Sequence, residues 1–168
     1  MTRTLAALLL ASFAAPAGAS LTRPLTVEQL AADSDAVVRG RVVEQAVEVE
    51  SDSGRVRTLS TVEVDACLRG DDAPGARVVV SQLGGTAGAV TVVASGTAPL
   101  AVGQEVLLFL RGTGAQRRVP VGMARGVWFV HRGDDGLVRL SPERPAPGAR
   151  ELPRWDAIVP RVEGARRR

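Results

Sequence analysis

The chain has no Lys, no Asn and no Tyr, and it has one Cys (Cys67), one His (His131) and one Ile (Ile158) among 168 residues. A single Cys closes no disulfide within the chain, so a cystine framework is excluded and stability must come from a buried core. A single His leaves imidazole chemistry without a second ring, and a zinc site would have to be completed by carboxylates. Aromatic residues make up 3% of the chain, too few for a row of stacking platforms along a nucleic acid or a glycan. No G-x-S-x-G, P-loop or H-E-x-x-H motif occurs. Beyond the first twenty residues the longest unbroken apolar stretch, Val106 to Leu110, is far too short to span a bilayer.

Because Lys is absent, all 21 basic residues are Arg. The isoelectric point near 10.7 therefore rests on a side chain that does not titrate near neutrality, and it overstates a net charge of +3. Arg3 lies near the N-terminus and Arg166, Arg167 and Arg168 close the chain, while residues 20 to 165 hold 17 Arg against 18 acids. A body this close to neutral argues against a specific nucleic-acid module, which carries its excess on a folded face. Charge is nonetheless unevenly spread: residues 20 to 72 carry 6 Arg and 11 acids, and residues 73 to 165 carry 11 Arg and 7 acids. That polarity suits either a charged partner or pairing of the two halves.

Residues 1 to 19 combine Arg3, an apolar stretch from Leu5 to Ala15, Pro16 and the small triplet Ala17, Gly18, Ala19. This is the plan of a secretory signal peptide with cleavage before Ser20, and it predicts a protein exported to the periplasm or secreted, with no membrane span after cleavage. The mature chain is predicted to form one domain over 20 to 140, then a Pro-rich extended segment and an Arg-rich tail over 141 to 168.

Thr26-Val27-Glu28-Gln29 matches a capping box, with Leu25 and Leu30 placed as a hydrophobic staple, so a short helix is expected over 27 to 33. From Ala36 to Glu50 the apolar residues change parity: Ala36, Val38 and Val42 share one face, Val43, Val47 and Val49 the other. One long strand bent or bulged near Gly40 to Val43 accounts for that. Strands are also expected over 55–68, 77–82, 90–94, 105–110, 118–122, 126–131 and 137–140. Gly84 to Gly88 is expected as a loop, Asp134-Asp135-Gly136 as a hairpin turn, and Trp155 to Val159 as an apolar turn before a disordered end. With 25 Val and one clear helix, the predicted class is all-β, an OB-like, partly closed antiparallel barrel with one short N-terminal helix.

Three stretches carry a resemblance: Ser34-Asp35-Ala36-Val37-Val38-Arg39-Gly40-Arg41-Val42-Val43; Thr61-Val62-Glu63-Val64 with Leu68-Arg69-Gly70; and Gly103-x-Glu105-Val106-Leu107-Leu108-Phe109-Leu110. Their order resembles a widespread group of small exported bacterial proteins. More remotely, it is similar to the netrin-like OB barrel of the tissue inhibitors of metalloproteinases, over about residues 34 to 131. That likeness implies a fold more than a function. Those inhibitors grip a catalytic zinc with the amine and carbonyl of an N-terminal Cys locked by disulfides. Here the expected first residue is Ser20 and no disulfide is available to hold the same ridge rigid.

The candidate chemistry is sparse. Neighbouring carboxylates at Glu63 and Asp65 oppose thiolate formation at Cys67, which reads as a structural thiol. His131 reads as a surface residue beside a turn. Glu48 with Glu50 and Asp71 with Asp72 are carboxylate pairs that read as solvated strand and turn positions, and Asp134 with Asp135 reads as turn chemistry before calcium binding. The candidate partner-binding residues are Ser20, Trp128 and Phe129. Trp128 and Phe129 are adjacent in a strand and so on opposite faces, one buried and the other an outward platform. No catalytic, cofactor or metal residues are assigned. The expected function is an exported, non-catalytic barrel that binds a protein or cell-envelope component. A metalloprotease-inhibitor-like module is the alternative, and an enzyme is a further one.

Overall fold

The computed structural model describes residues 25–112, 117–142 and 152–166. Helix α1 (Val27–Ala32) starts where the local sequence dictates. The Gln29 N–H donates to Thr26 Oγ1 at 3.3 Å, and the Thr26 N–H donates to Gln29 Oε1 at 2.9 Å. Each side chain thus satisfies a backbone donor that the first turn leaves without an intrahelical partner.

Strands β1 (Ala36–Val49) and β2 (Val56–Arg69) form a long antiparallel hairpin. Their register shifts at Val37/Val38, Arg39/Gly40 and Val42/Glu44, where the change of apolar parity predicts a bend. Gly40 sits inside that bend with no room for a side chain, because a Cβ there would collide with the Glu63 carbonyl oxygen. Strand β3 (Arg77–Leu83) pairs with β2, and β4 (Gly85–Ala87) with β5 (Val90–Val92) makes a separate two-stranded ribbon. Strand β6 (Glu105–Arg111) lies antiparallel to β1 over Ala36–Arg41. Strands β7 (Val119–Pro120) and β8 (Val127–Arg132) follow the other edge of β6, separated by a 3-10 turn at Met123–Gly126, and β9 (Val138–Pro142) pairs with β8. The order across the larger sheet is β3-β2-β1-β6-β8-β9, with β7 on β6. One parallel bridge joins Val80 of β3 to Arg118, through Ser81 N–H to Arg118 O at 2.8 Å and Arg118 N–H to Val79 O at 2.9 Å. The fold is mostly strand, and its strand ladders are antiparallel.

Strand β6 is buried on both faces, as its unbroken apolar run predicts. Val106, Leu108 and Leu110 meet Val38, Val42, Val62, Val64, Val78 and Val80 in one cluster. Leu107 and Phe109 face the opposite cluster, with Leu30, Val37, Trp128, Leu140, Ile158 and Val162. The second cluster is roofed by α1 and by a helix that the sequence pattern does not announce, α2 (Trp155–Glu163). Where an apolar turn and a disordered end are expected, Trp155, Ile158 and Val162 recur at helical spacing and bury one stripe on the sheet. Surrounding prolines, including Pro160 inside the helix, hide that signal, since proline ordinarily breaks a helix interior. The packed unit therefore runs past residue 140, and Pro153 and Arg154 run beside β9 through Leu140 N–H to Pro153 O at 2.9 Å. A second correction concerns Gly84 to Gly88, which holds β4 and not only loop. Glycine is a poor strand former, but Gly85 admits the ribbon across Val47 and Thr58 where any Cβ would lie 2.6 Å from Thr58 Oγ1. Among the described residues no helix is long and apolar enough to cross a membrane.

Candidate functional site

Gly84 and Gly85 bring the start of the ribbon onto the hairpin, and beyond that contact the two border an open cleft of about 710 Å³, within the ~300–1,000 Å³ usual for ligand sites. Its walls are Gln45, Ala46 and Val47 of β1, Thr58 of β2, Gln82 and Leu83 of β3, the chain from Gly84 to Thr86 and from Val92 to Thr97, and Pro99 with Leu100. None of the residues lining it is ionisable. The reason is local to the sequence, since between Arg77 and Glu105 no Asp, Glu, Arg or His occurs.

The polar groups at the base of the cleft are tied inward. Gln45 Nε2 donates to Ser60 Oγ at 2.9 Å and to Leu100 O at 2.8 Å, and Gln82 Nε2 donates to Ala98 O at 2.8 Å. Thr58 Oγ1 donates to Gly84 O at 2.8 Å and Thr97 Oγ1 to Ala94 O at 2.8 Å. The two glutamine bonds to Leu100 O and Ala98 O pin that segment to the sheet, so the cleft has a fixed floor. Its rim is apolar and solvated: Val93 is 89% exposed, and Val47, Leu83 and Val92 are exposed as well.

Of the residues singled out from sequence, none of the described ones lines the cleft. Ser20 falls outside the described residues. Trp128 is buried, 6.1 Å from Phe109 between ring centres, and its Nε1–H donates to Arg125 O at 2.9 Å. It is therefore no platform, because the face it occupies is the one covered by α1 and α2. Phe129, on the opposite face, is half-buried against the first core cluster. His131 is exposed, with Nε2 2.7 Å from Ser141 Oγ. The Cys67 thiol donates to Arg69 O at 3.0 Å and packs against the first cluster.

The carboxylates divide by partner. Asp72, expected as a solvated turn residue, faces the buried Arg118 guanidinium in a bidentate pair at 2.5 and 2.8 Å. This ties the β2–β3 turn to the segment entering β7. Glu48 is bidentate with Arg117 at 2.6 and 2.9 Å. Glu50 accepts from Ser53 Oγ and from Arg57, and these two bonds hold its carboxyl below the usual range. Asp135 is drawn down to about 2, first by Arg139 and then by the Leu137 N–H, which is the behaviour of a hairpin-turn carboxylate. Among the described residues no cluster of three His, Cys, Asp or Glu is placed to hold a metal ion.

Sequence reasoning that sought aromatic and charged groups passed over the cleft, whose sequence signal is the long interval without charge. No protein-family model and no curated protein matches the chain.

Proposed function

We propose that this chain is an exported, non-catalytic binding module, an OB-like barrel that holds a protein or cell-envelope component in the cleft between β1 and the β4–β5 ribbon. The observation that carries this reading is the neutral cleft itself. Acid–base and nucleophilic catalysis need a titratable group within reach of the substrate, and the cleft walls offer only amides, hydroxyls, backbone and apolar side chains. An exposed apolar rim over a pinned floor suits recognition by contact.

The barrel reading draws support from the bridge between Val80 and Arg118. With β7 also on β6, pairing can be followed from β1 through β2, β3, the Arg118 segment and β6 back to β1. The parallel contact in that circuit suits the closure of a five-stranded OB barrel. The export reading draws support from the leader pattern of residues 1 to 19.

The test is retention of envelope and culture-fluid components on the immobilised protein beginning at Ser20. Val93→Asp places a charge on the rim at a position exposed enough to leave folding intact, and Val102→Asp makes the same change at an exposed site outside the cleft. A component retained by the wild type and by Val102→Asp, and lost with Val93→Asp, is the expected result. Equal retention by all three overturns the assignment to the cleft.

A further inference from the structure

Strand β1 is paired along its whole length by β2, but its other edge is covered by β6 only from Ala36 to Arg41. Gly103 and Gln104 extend the cover to Val42, through Val42 N–H to Gln104 O at 3.0 Å and Gly103 N–H to Val42 O at 2.7 Å. From Glu44 to Val49 no strand among the described residues occupies that edge. Pairing with β2 runs without a register shift over this half, so backbone groups alternate strictly between the two edges. The Glu50 N–H donates to Arg55 O at 2.9 Å, on the β2 side. Val49, Val47 and Gln45 therefore turn their N–H and C=O groups to the open edge.

The cleft reaches this edge. Gln45, Ala46 and Val47 all line it, although successive side chains of a strand point to opposite faces. With Ala46 beside Gln45 and Val47 in its lining, the cavity is not confined to the side chains of one face.

We infer that the open edge of β1 receives an extended, uncharged segment of a partner polypeptide, which adds as a strand where β6 has left off and places side chains in the cleft. This rests on the reading of the cleft as the binding site. The charge follows from the walls: a charged side chain entering a cleft without ionisable groups loses water and gains no counter-ion. The linear form follows from the shape. A second copy of this chain would bring an edge already fixed in its own sheet into a slot bounded by residues 92–97, and paired edges alone bury well under the ~1,200 Å² of a stable interface. A single strand, free on both sides, can enter and fill the slot.

The experiment uses a library of capped octapeptides built from Gly, Ala, Ser, Thr and Val, selected on the immobilised protein and read by mass spectrometry. Enriched peptides are then remade with their central amides N-methylated, which keeps the side chains and removes the donors. A saturable interaction that weakens at least tenfold on methylation is expected. Val47→Pro, which deletes an outward N–H and leaves the β2 ladder intact, should weaken it by a similar factor. Methylated peptides that bind as tightly as their parents overturn strand addition, as does a library with no retained member. A concentration-dependent dimer that Val47→Pro abolishes overturns it in favour of a second copy. If no peptide is retained while Val93→Asp still releases an envelope component, strand addition falls and the cleft assignment stands.

Discussion

At the scale of single residues, the charged pairs differ by burial more than by distance. Arg118 is 4% exposed in its side chain and Asp72 14%, whereas Arg117 and Glu48 are 51% and 42% exposed. Both pairs are bidentate, but only the first was taken out of water, so only the first leaves a desolvated guanidinium facing a lost partner when its acid is removed. Asp72→Ala is expected to cost about 3 kcal/mol in denaturant unfolding, and Glu48→Ala less than about 1 kcal/mol. Equal losses would show that the Arg118 pair is as well solvated as its neighbour. Asp72 reads as a turn carboxylate in sequence because it stands in Asp-Asp-Ala-Pro-Gly, and nothing local identifies an Arg forty-six positions away as its partner.

At the scale of elements, α2 is the part whose identity depends most on its support. Ile158 and Val162 are fully buried against the sheet, and Arg39 stacks over the Trp155 ring with its guanidinium carbon 4.6 Å from the ring centre. Burial of this stripe outweighs the bond lost at Pro160. Ile158→Ala is expected to cost about 2–4 kcal/mol, measured by equilibrium unfolding. A much smaller value would place α2 outside the cooperative unit. The two helices are clamped by Glu28, which accepts from Arg161 Nε at 2.6 Å and Nη2 at 3.1 Å. That hydrogen bond, ahead of the backbone bond at Glu28, lowers the carboxyl to about 2 and raises the Arg161 guanidinium. In the unfolded chain the carboxyl titrates near ~4.3. The folded value is the lower one, so the contribution is complete above the unfolded value and is lost as pH falls from there through about 2. Both side chains are almost half exposed, and screening keeps the clamp below about 1 kcal/mol. Glu28→Gln should therefore be slightly less stable than the wild type at neutral pH and indistinguishable from it once the wild-type carboxyl is protonated. A gap that persists in acid would assign the effect to helix capping instead.

At the scale of the whole molecule, the charged residues and the cleft occupy different regions. Ion pairs spread over the strands and helices, while the interval from Val78 to Gln104 carries none and supplies most of the cleft lining. The basic excess resides in the last three residues, so removing Arg166, Arg167 and Arg168 should lower the salt at which the protein elutes from heparin, and unchanged elution would return the excess to the folded body. Much of the fold was legible in the sequence. The capping box, the bent first strand, the hairpin at Asp134-Asp135-Gly136 and the doubly buried β6 each follow from residues a few positions apart, because alternation, turn chemistry and capping are short-range effects. The cleft was legible only as an absence of charge, with no pattern to say that β4 and β5 would form a ribbon outside the larger sheet. The burial of Trp128, the pairing of Asp72 with Arg118, the docking of α2 and the open edge of β1 came from tertiary structure alone. Each depends on which distant segments meet, and on how much water they exclude when they do.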